Sequence, residues 1–589
     1  MIQIIQESLV SVWKNRWIYI KSLLFLTVLQ GVVFLPVLGL LFNQMLRVAD
    51  LQSITETTVK SVLMNPLAIG LLIVLVFLVI VAIYIEMGFF FLLARSLAKK
   101  EQITAKGIII QLAKRVRHFI SFQLVLFIVY LLLLLPLASI GLQSMLTDSL
   151  RLPYFIADEL FKSRSGTLLY FALLLIVFYI SMRLLFTLPL FILDKKKNVL
   201  GGMKDSWFVS KRNTGKNIFV LGSLLIGYHF LLGLVGLFLV SPVFIVEAFS
   251  PSWAPWVAGI MLTFIQILFV LSFGLLQAIM AEAIIRLGSL NQSVSNLPYK
   301  SQERPFFSKP LSLFIKLGLA LVILATAIGN LVTMKEGLYA PSTMVIAHRG
   351  ETSQAIENTL TALVAAAKIE SDYVELDVME TKDKQLIVFH DETLRRLANK
   401  SSAIKDLTLA EIKDVSLVSN GLTDRIPTFA EFIDVAKEHQ IKLLVEIKLH
   451  GNESPEMVQN IVNLLAEKNV TRDYLVQSLD GDIVKKVKEL NPEIKTGYLV
   501  AFNVGNIPSI PADFLVLEDF SVNQRLLNQA RELNKTVFVW TVNRETLMRQ
   551  YLRMDIDGMI TNQPKRAIEL RQSFEEEKGF GQRVRDLIN

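Results

Sequence analysis

Tyr373-Val374-Glu375-Leu376-Asp377-Val378 alternates apolar and acidic side chains with the period of a β-strand, so Glu375 and Asp377 share one face. Two histidines flank it, in Ile346-Ala347-His348-Arg349-Gly350 and in Val388-Phe389-His390-Asp391. Downstream, Leu444-Val445-Glu446-Ile447-Lys448 sets a third acid inside an apolar run. Working outward from this stretch, short β-rich runs alternate with amphipathic ones. Strands are expected at 344–347, 373–378, 386–389, 443–447, 474–477, 496–500, 514–517, 537–540 and 558–560. Helices are expected at 357–368, 428–439, 454–467, 481–490, 523–533 and 544–553. This alternation predicts a parallel (β/α)8 TIM-type barrel over residues 341–572, with a tail at 573–589. Nine strands are one too many, so one is peripheral or the barrel is irregular. The interval from Val378 to Leu386 is too short for a helix, so the second repeat lacks one.

The residues before the barrel have another texture. The chain has 589 residues, 53% hydrophobic and 19% charged, and its mean hydropathy is +0.49. These values point to a membrane protein. Seven apolar runs, 17–42, 67–94, 119–142, 168–193, 218–249, 253–285 and 313–334, can each span about 30 Å of hydrocarbon. Residues 1–335 therefore read as a polytopic α-helical membrane domain, with residues 1–14 moderately amphipathic and suited to the interface. The first run is too long for a signal peptide and lacks a small-residue cleavage site.

From Lys335 onward there are 32 Lys+Arg against 39 Asp+Glu. The chain's net charge of +8 thus comes from the membrane half, which argues for lipid headgroups and topology and against nucleic acid. The loop after run two holds Arg95, Lys99, Lys100, Lys106, Lys114, Arg115 and Arg117. The loop after run four holds Lys195, Lys196, Lys197, Lys204, Lys211, Arg212 and Lys216, and the loop after run six Arg286, Lys300, Arg304 and Lys309. The other loops are poor in basic residues: Arg47 and Lys60 after run one, Arg151, Lys162 and Arg164 after run three, none after run five. By the positive-inside rule the N-terminus is cytoplasmic, and seven crossings put the barrel outside the cell. One re-entrant run would reverse this. The pair 218–249 and 253–285, joined by Ser250-Pro251-Ser252, is where that is easiest. Lys335-Glu336-Gly337 would then tether the barrel close to the outer leaflet.

The absence of cysteine excludes disulfides, thiolate catalysis and Cys-type zinc sites. In a parallel barrel the active site lies at the C-terminal strand ends. His348, Glu375 with Asp377, His390 and Glu446 are expected at the ends of four consecutive strands. A lone Glu-x-Asp is commonly a surface pair; the third acid in Val-Glu-Ile favours a hard oxygen site for Ca²⁺ or Mg²⁺. Arg349 and Lys448 would add fixed positive charge for a phosphate, and the two histidines suit opposite proton-transfer jobs. His118, His229, His439 and His450 lack such a setting. Glu86, Arg183, Glu247 and Glu282 lie in or near apolar runs, where ionisable groups pair, line a cavity or mark a ligand site.

Together with Glu357-Asn358-Thr359, Thr381-Lys382-Asp383, His390-Asp391-Glu392-Thr393-Leu394, Trp540-Thr541-Val542-Asn543 and Asp557-Gly558-Met559-Ile560-Thr561-Asn562-Gln563-Pro564, these motifs resemble the glycerophosphodiester phosphodiesterase family. The architecture resembles the membrane-domain-fused form found in Gram-positive bacteria. The resemblance implies a TIM-type barrel, a divalent metal at Glu375, Asp377 and Glu446, and His348 and His390 as the acid/base pair. It also implies hydrolysis of glycerophosphodiesters to glycerol phosphate and an alcohol. Lys384 departs from the family, which usually has glycine there, and the short segment from Asp391 to Pro427 lacks the large insertion of some secreted members. Expected substrates are soluble or lipid-linked glycerophosphodiesters, or glycerol-phosphate polymers of the envelope, with membrane lipids as partners. An alternative reading makes the membrane half a lipid-binding or transport module with the barrel as its accessory.

Overall fold

The computed structural model describes all residues except 100, 102–103, 138–159, 162–163, 195, 212, 290–312, 336–341, 452, 509, 555, 576–578 and 589. The expected tether at Glu336-Gly337 lies outside the described residues. So do Lys100, Arg151, Lys162, Lys195, Arg212, Lys300, Arg304 and Lys309 and the end of the run 119–142.

Among the described residues, six helices are long and apolar enough to cross a membrane: Arg16–Val48, Pro66–Ala98, Arg164–Leu193, Thr214–Phe249, Pro251–Leu287 and Lys316–Met334. The pair 218–249 and 253–285, where re-entry seemed easiest, forms two full-length helices. The break falls in the third run. Ala105–Phe119 and Gln123–Leu134 meet at 110°, and the count is seven if this bent pair is one span. The first span changes to π-helix at Gln30–Phe34. The N-terminal helix Ile2–Lys14 packs on the membrane bundle through Ser11, whose Oγ donates to Glu282 at 2.6 Å.

Several cations counted as loop charges are packed instead. Arg95 and Arg115 are buried, and Arg115 donates to the carbonyls of Phe191 and Lys197. The basic segments after runs two and four therefore meet. Arg286, after run six, pairs with Glu7 of the N-terminal helix at 2.8 Å.

The C-terminal half is a closed barrel. Its parallel strands are β2 (Met344–His348), β3 (Tyr373–Glu380), β7 (Lys442–Ile447), β8 (Leu475–Ser478), β9 (Lys495–Val500), β11 (Phe514–Glu518), β12 (Thr536–Trp540) and β13 (Gly558–Thr561). They pair in that order, and β13–β2 with β2–β3 closes the ring. The surplus strand is β4 (Leu386–Val388), which pairs antiparallel with the end of β3. The five residues between Glu380 and Leu386 suffice for an antiparallel return but not for a parallel crossover. A small hairpin, β5 (Ser416–Ser419) with β6 (Leu422–Arg425), follows before the helix Phe429–Glu438.

Inside the ring, Ile346, Leu444, Leu475, Leu499, Phe514, Val516, Phe538 and Ile560 form a packed plug. Each such side chain contributes about 1.5–3 kcal/mol by leaving water. Gly497 is required here, because a Cβ would stand 2.0 Å from the Phe514 ring. Outside the ring, larger apolar layers fasten the helices.

Two short contacts join the halves. β1 (Ser53–Thr55), between the first two spans, pairs antiparallel with β10 (Asn503–Gly505), in the loop after β9. Around it Glu56 accepts the Phe502 N–H at 3.1 Å, and the Thr57 and Tyr498 hydroxyls are 3.3 Å apart. Beyond the barrel, the helix Pro564–Glu575 runs past residue 572. The helix Phe580–Ile588 then buries Val584 among Val240, Val243, Ala258, Leu262, Ile265 and Met334. Glu247 accepts the Phe580 and Gly581 N–H groups at 2.7 and 3.2 Å, so this intramembrane-run acid caps a helix N-terminus.

Candidate active site

His348 is the last residue of β2, and the two residues after it turn the chain sharply. Arg349 and Gly350 both have positive φ (60° and 95°), and a Cβ on Gly350 would stand 2.6 Å from that of Ala362. Only glycine fits there. The turn aims the Arg349 N–H at Glu375 Oε2, 3.2 Å away.

Glu375 and Asp377 lie within β3, not at its end as expected, because β3 continues past the rim to meet β4. The register still delivers them: His348 stands opposite Glu375, and Asp377 opposite Glu446. The carboxylates of Glu375, Asp377 and Glu446 are buried, and one oxygen from each lies within 4.8 Å of the others. His390 arrives differently from the expectation. It follows the peripheral β4, so three consecutive barrel strands and one side hairpin supply the set.

All seven residues singled out in the sequence are brought close. His348, Arg349, Glu375, His390, Glu446 and Lys448 line a cavity of about 200 Å³, together with Gln477, Leu479, Leu499, Trp540 and Asn562. Asp377 sits beneath, 3.2 Å from Arg349 Nε and 3.5 Å from Lys448 Nζ. Lys448 Nζ also donates to Glu446 at 2.9 Å.

The electrostatics of the acids diverge. Burial, then the charges of Asp377 and Glu446, push the Glu375 carboxyl well above its ordinary value. Burial would raise Asp377 too, but Arg349, His390 and Lys448 hold it well below. Burial opposes the Lys448 charge, yet Glu446 and Asp377 raise its pKa. Glu375 Oε1 is buried with no hydrogen-bond partner among the described residues. Three converging carboxylates, one with an orphaned oxygen, are a donor set that fits a hard divalent cation.

Both histidines are held at Nδ1, and His348 Nε2 lies 3.9 Å from Glu375 Oε2. His348 Nδ1 is 2.6 Å from Asn562 Oδ1, and His390 Nδ1 is 2.8 Å from Asp391 Oδ1. Asp391 accepts from Arg396 Nε at 2.7 Å, and Arg396 also grips Glu357, which pairs with Arg349 at 2.8 Å. Burial would raise the Asp391 carboxyl, but His390 and Arg396 hold it well below the usual range. Asn358 donates to Asp377 at 2.8 Å, and His450 Nε2 contacts the His390 carbonyl at 3.0 Å. Sequence reasoning gave none of these supporting residues a role. Asn562 and Gln477 stand at or just beyond the ends of β13 and β8, so the strand-end rule, carried past the fourth strand, would have found them.

Residues 5–329 match a family described as the membrane domain of glycerophosphoryl diester phosphodiesterase, and residues 348–566 match the glycerophosphoryl diester phosphodiesterase family. The chain is similar to a glycerophosphodiester phosphodiesterase of Caldanaerobacter subterraneus subsp. tengcongensis. The two are 30% identical over 238 residues, covering 39% of this chain and 97% of the relative. It is also similar to a glycerophosphodiester phosphodiesterase of Bacillus subtilis, 28% identical over 268 residues, covering 39% and 87%. A solved phosphodiesterase of Oleispira antarctica, in complex with the product sn-glycerol-3-phosphate, is 28% identical with a TM-score of 0.36. That match covers 38% of this chain and 96% of that one.

Proposed function

Because this multi-pass membrane chain belongs to the glycerophosphoryl diester phosphodiesterase family, and is a glycerophosphodiester phosphodiesterase, we propose how its own residues perform the hydrolysis and where. Glu375, Asp377 and Glu446 hold a divalent cation, Ca²⁺ or Mg²⁺. When bound, it supplies positive charge that polarises the phosphoryl oxygens. Lys448 and Arg349 add fixed positive charge on the same side of the cavity. One histidine takes a proton from the attacking water through Nε2, and the other gives a proton to the departing alcohol oxygen. Asn562 and Asp391 fix the two rings for these jobs. The products are glycerol phosphate and an alcohol.

The observation that carries the reading is the orphaned Glu375 Oε1 beside two further buried carboxylates, in one cavity with two oriented imidazoles. The test is product analysis of the full-length protein with glycerophosphodiesters, with and without a chelator. Glycerol phosphate should form, stop with chelation and resume with Ca²⁺ or Mg²⁺. Full turnover in excess chelator sinks the metal assignment.

We assign residues 1–335 to the membrane domain, 341–572 to the catalytic barrel and 573–589 to a tail that fastens the barrel to the membrane helices. The barrel is placed outside the cell, in the cell membrane's outer aqueous layer. Two groups of contacts support this. The basic segments after runs two and four meet through Arg115 with Lys197, and Arg286 after run six meets the N-terminal helix at Glu7. Among the described residues, the barrel meets a segment poor in basic residues through β1, and the tail helix meets another through Glu247. Lipid-linked glycerophosphodiesters and envelope glycerol-phosphate polymers are then within reach. Protease added to wall-stripped cells should cut the barrel, while epitopes near Lys197 need permeabilisation. Barrel cleavage only after permeabilisation reverses the placement.

A further inference from the structure

A second cavity lies apart from the catalytic one. It holds about 600 Å³, three times the space at His348 and His390. It lies where the two halves meet. One wall is the end of the first span, with Asn43, Leu46, Arg47 and Asp50; the other is the barrel flank, with Tyr498 and Asn506. Ser53, Thr55, Thr57 and Thr58 close it from the connecting segment.

We propose that this junction cavity binds the headgroup of an anionic, glycerol-bearing phospholipid. Three observations converge. The first is depth. The first span ends at Val48 and the next begins at Pro66, so the cavity sits at the level of phospholipid headgroups. The second is continuity with the acyl region. Asn43, Leu46, Arg47 and Asp50 recur at helical spacing on one face, and one turn deeper that face continues as Gly39 and Leu40. Leu40 is 70% exposed, and a Cβ on Gly39 would meet nothing within 4 Å. A chain can lie along this open apolar strip while its headgroup enters the cavity.

The third is chemistry. Arg47 is exposed, and among the described residues its guanidinium makes one long contact, 3.4 Å, to Gln44. That leaves it free to pair with a phosphodiester. Around it stand the Asp50 carboxylate, the Asn43 amide and a ring of hydroxyls, with Thr55 2.9 Å from Thr57, and Thr57 3.3 Å from Tyr498. Hydroxyls and amides beside one cation match a polyol phosphate, and equally a soluble glycerol phosphate. The lipid is favoured because the cavity opens onto a membrane helix. A lipid seated here would brace β1 against β10, and with it the barrel loop after β9.

The test uses the full-length protein in nanodiscs of phosphatidylcholine with added phosphatidylglycerol, and lipid retention is read by native mass spectrometry. Wild type should retain phosphatidylglycerol in preference. Arg47→Gln should reduce that preference about tenfold, the loss of one charge-assisted hydrogen bond, and Arg47→Lys should keep most of it. Hydrolysis of a soluble glycerophosphodiester should stay unchanged in both variants, since Arg47 is no part of the catalytic cavity. Equal retention by wild type and Arg47→Gln overturns the site. Displacement of the retained lipid by excess sn-glycerol 3-phosphate overturns the lipid assignment and gives the cavity to a soluble ester.

Discussion

Glu86, Glu282 and Arg183, buried in the membrane half, are answered by their neighbours; Glu375 in the barrel mouth is left partly unanswered. Glu86 accepts from the amides of Gln30 and Gln277, at 2.6 and 3.2 Å. Glu282 accepts from Ser11, Tyr19 and Arg286. Arg183 stacks 4.1 Å from the Trp207 ring and donates to Tyr179, Ser210 and the Trp207 carbonyl. In the barrel, three carboxylates crowd together and Glu375 Oε1 has no partner among the described residues. The difference teaches how to read a buried ion. Satisfied by fixed neutral donors or one cation, it holds helices together; crowded with like charge, it awaits a ligand.

The largest effect expected from this contrast is on the histidines. His348→Ala and His390→Ala should each lower kcat by about 10²–10⁴-fold. The double variant should be little worse than either single, because the two act as a unit. Near wild-type turnover in one of them would move that residue to the structural side. Next come the residues that hold them. Asp391→Asn and Asn562→Ala should each cost about 10–100-fold in activity, the usual range for groups that orient a site. Unchanged kcat would show that the rings need no such support.

The crowding of acids also sets a pH dependence. The Glu375 carboxyl is raised by burial and by Asp377 and Glu446, so its contribution to stability is full below the unfolded pKa. That contribution is lost as pH rises through the folded value, while Asp377 stays ionised throughout. The chelated protein should therefore lose Tm as pH rises above the ordinary carboxylate range, and added Ca²⁺ should recover more at the upper end of that rise. A recovery independent of pH would remove Glu375 from the cation site. The smallest effect belongs to the membrane half. Glu282→Gln should cost about 1–2 kcal/mol of stability and leave turnover of a soluble substrate intact. Lost turnover with unchanged stability would favour the transport or lipid-handling reading of these helices.

The barrel was legible because its strands alternate apolar and polar residues and its acids interrupt apolar runs, as Glu446 does between Val445 and Ile447. One strand was misplaced. Leu386–Val388 has the composition of a barrel strand, and only the length of the preceding loop shows that it must return antiparallel. Within the site, side chains with an evident chemical job were found, and those that hold them were not. Asn562 and Arg396 act through hydrogen bonds across sequence distances that composition does not encode. The joints between the halves were hidden for the same reason. Ser53–Thr55 and Asn503–Gly505 are each three residues long, too short for any period to register.

Those joints bear on how the enzyme meets its substrate in time. A catalytic head on a loose leash sweeps a volume set by the leash, and its encounters follow three-dimensional search. Here β1 grips the loop after β9, and the helix Phe580–Ile588, capped by Glu247, grips the spans. The head cannot sweep. Its mouth would keep one height above the lipid surface and travel with the whole protein, so encounters with any lipid-rooted substrate would become a search in two dimensions. The rate at low substrate should then follow the fluidity of the bilayer more closely than the viscosity of the medium.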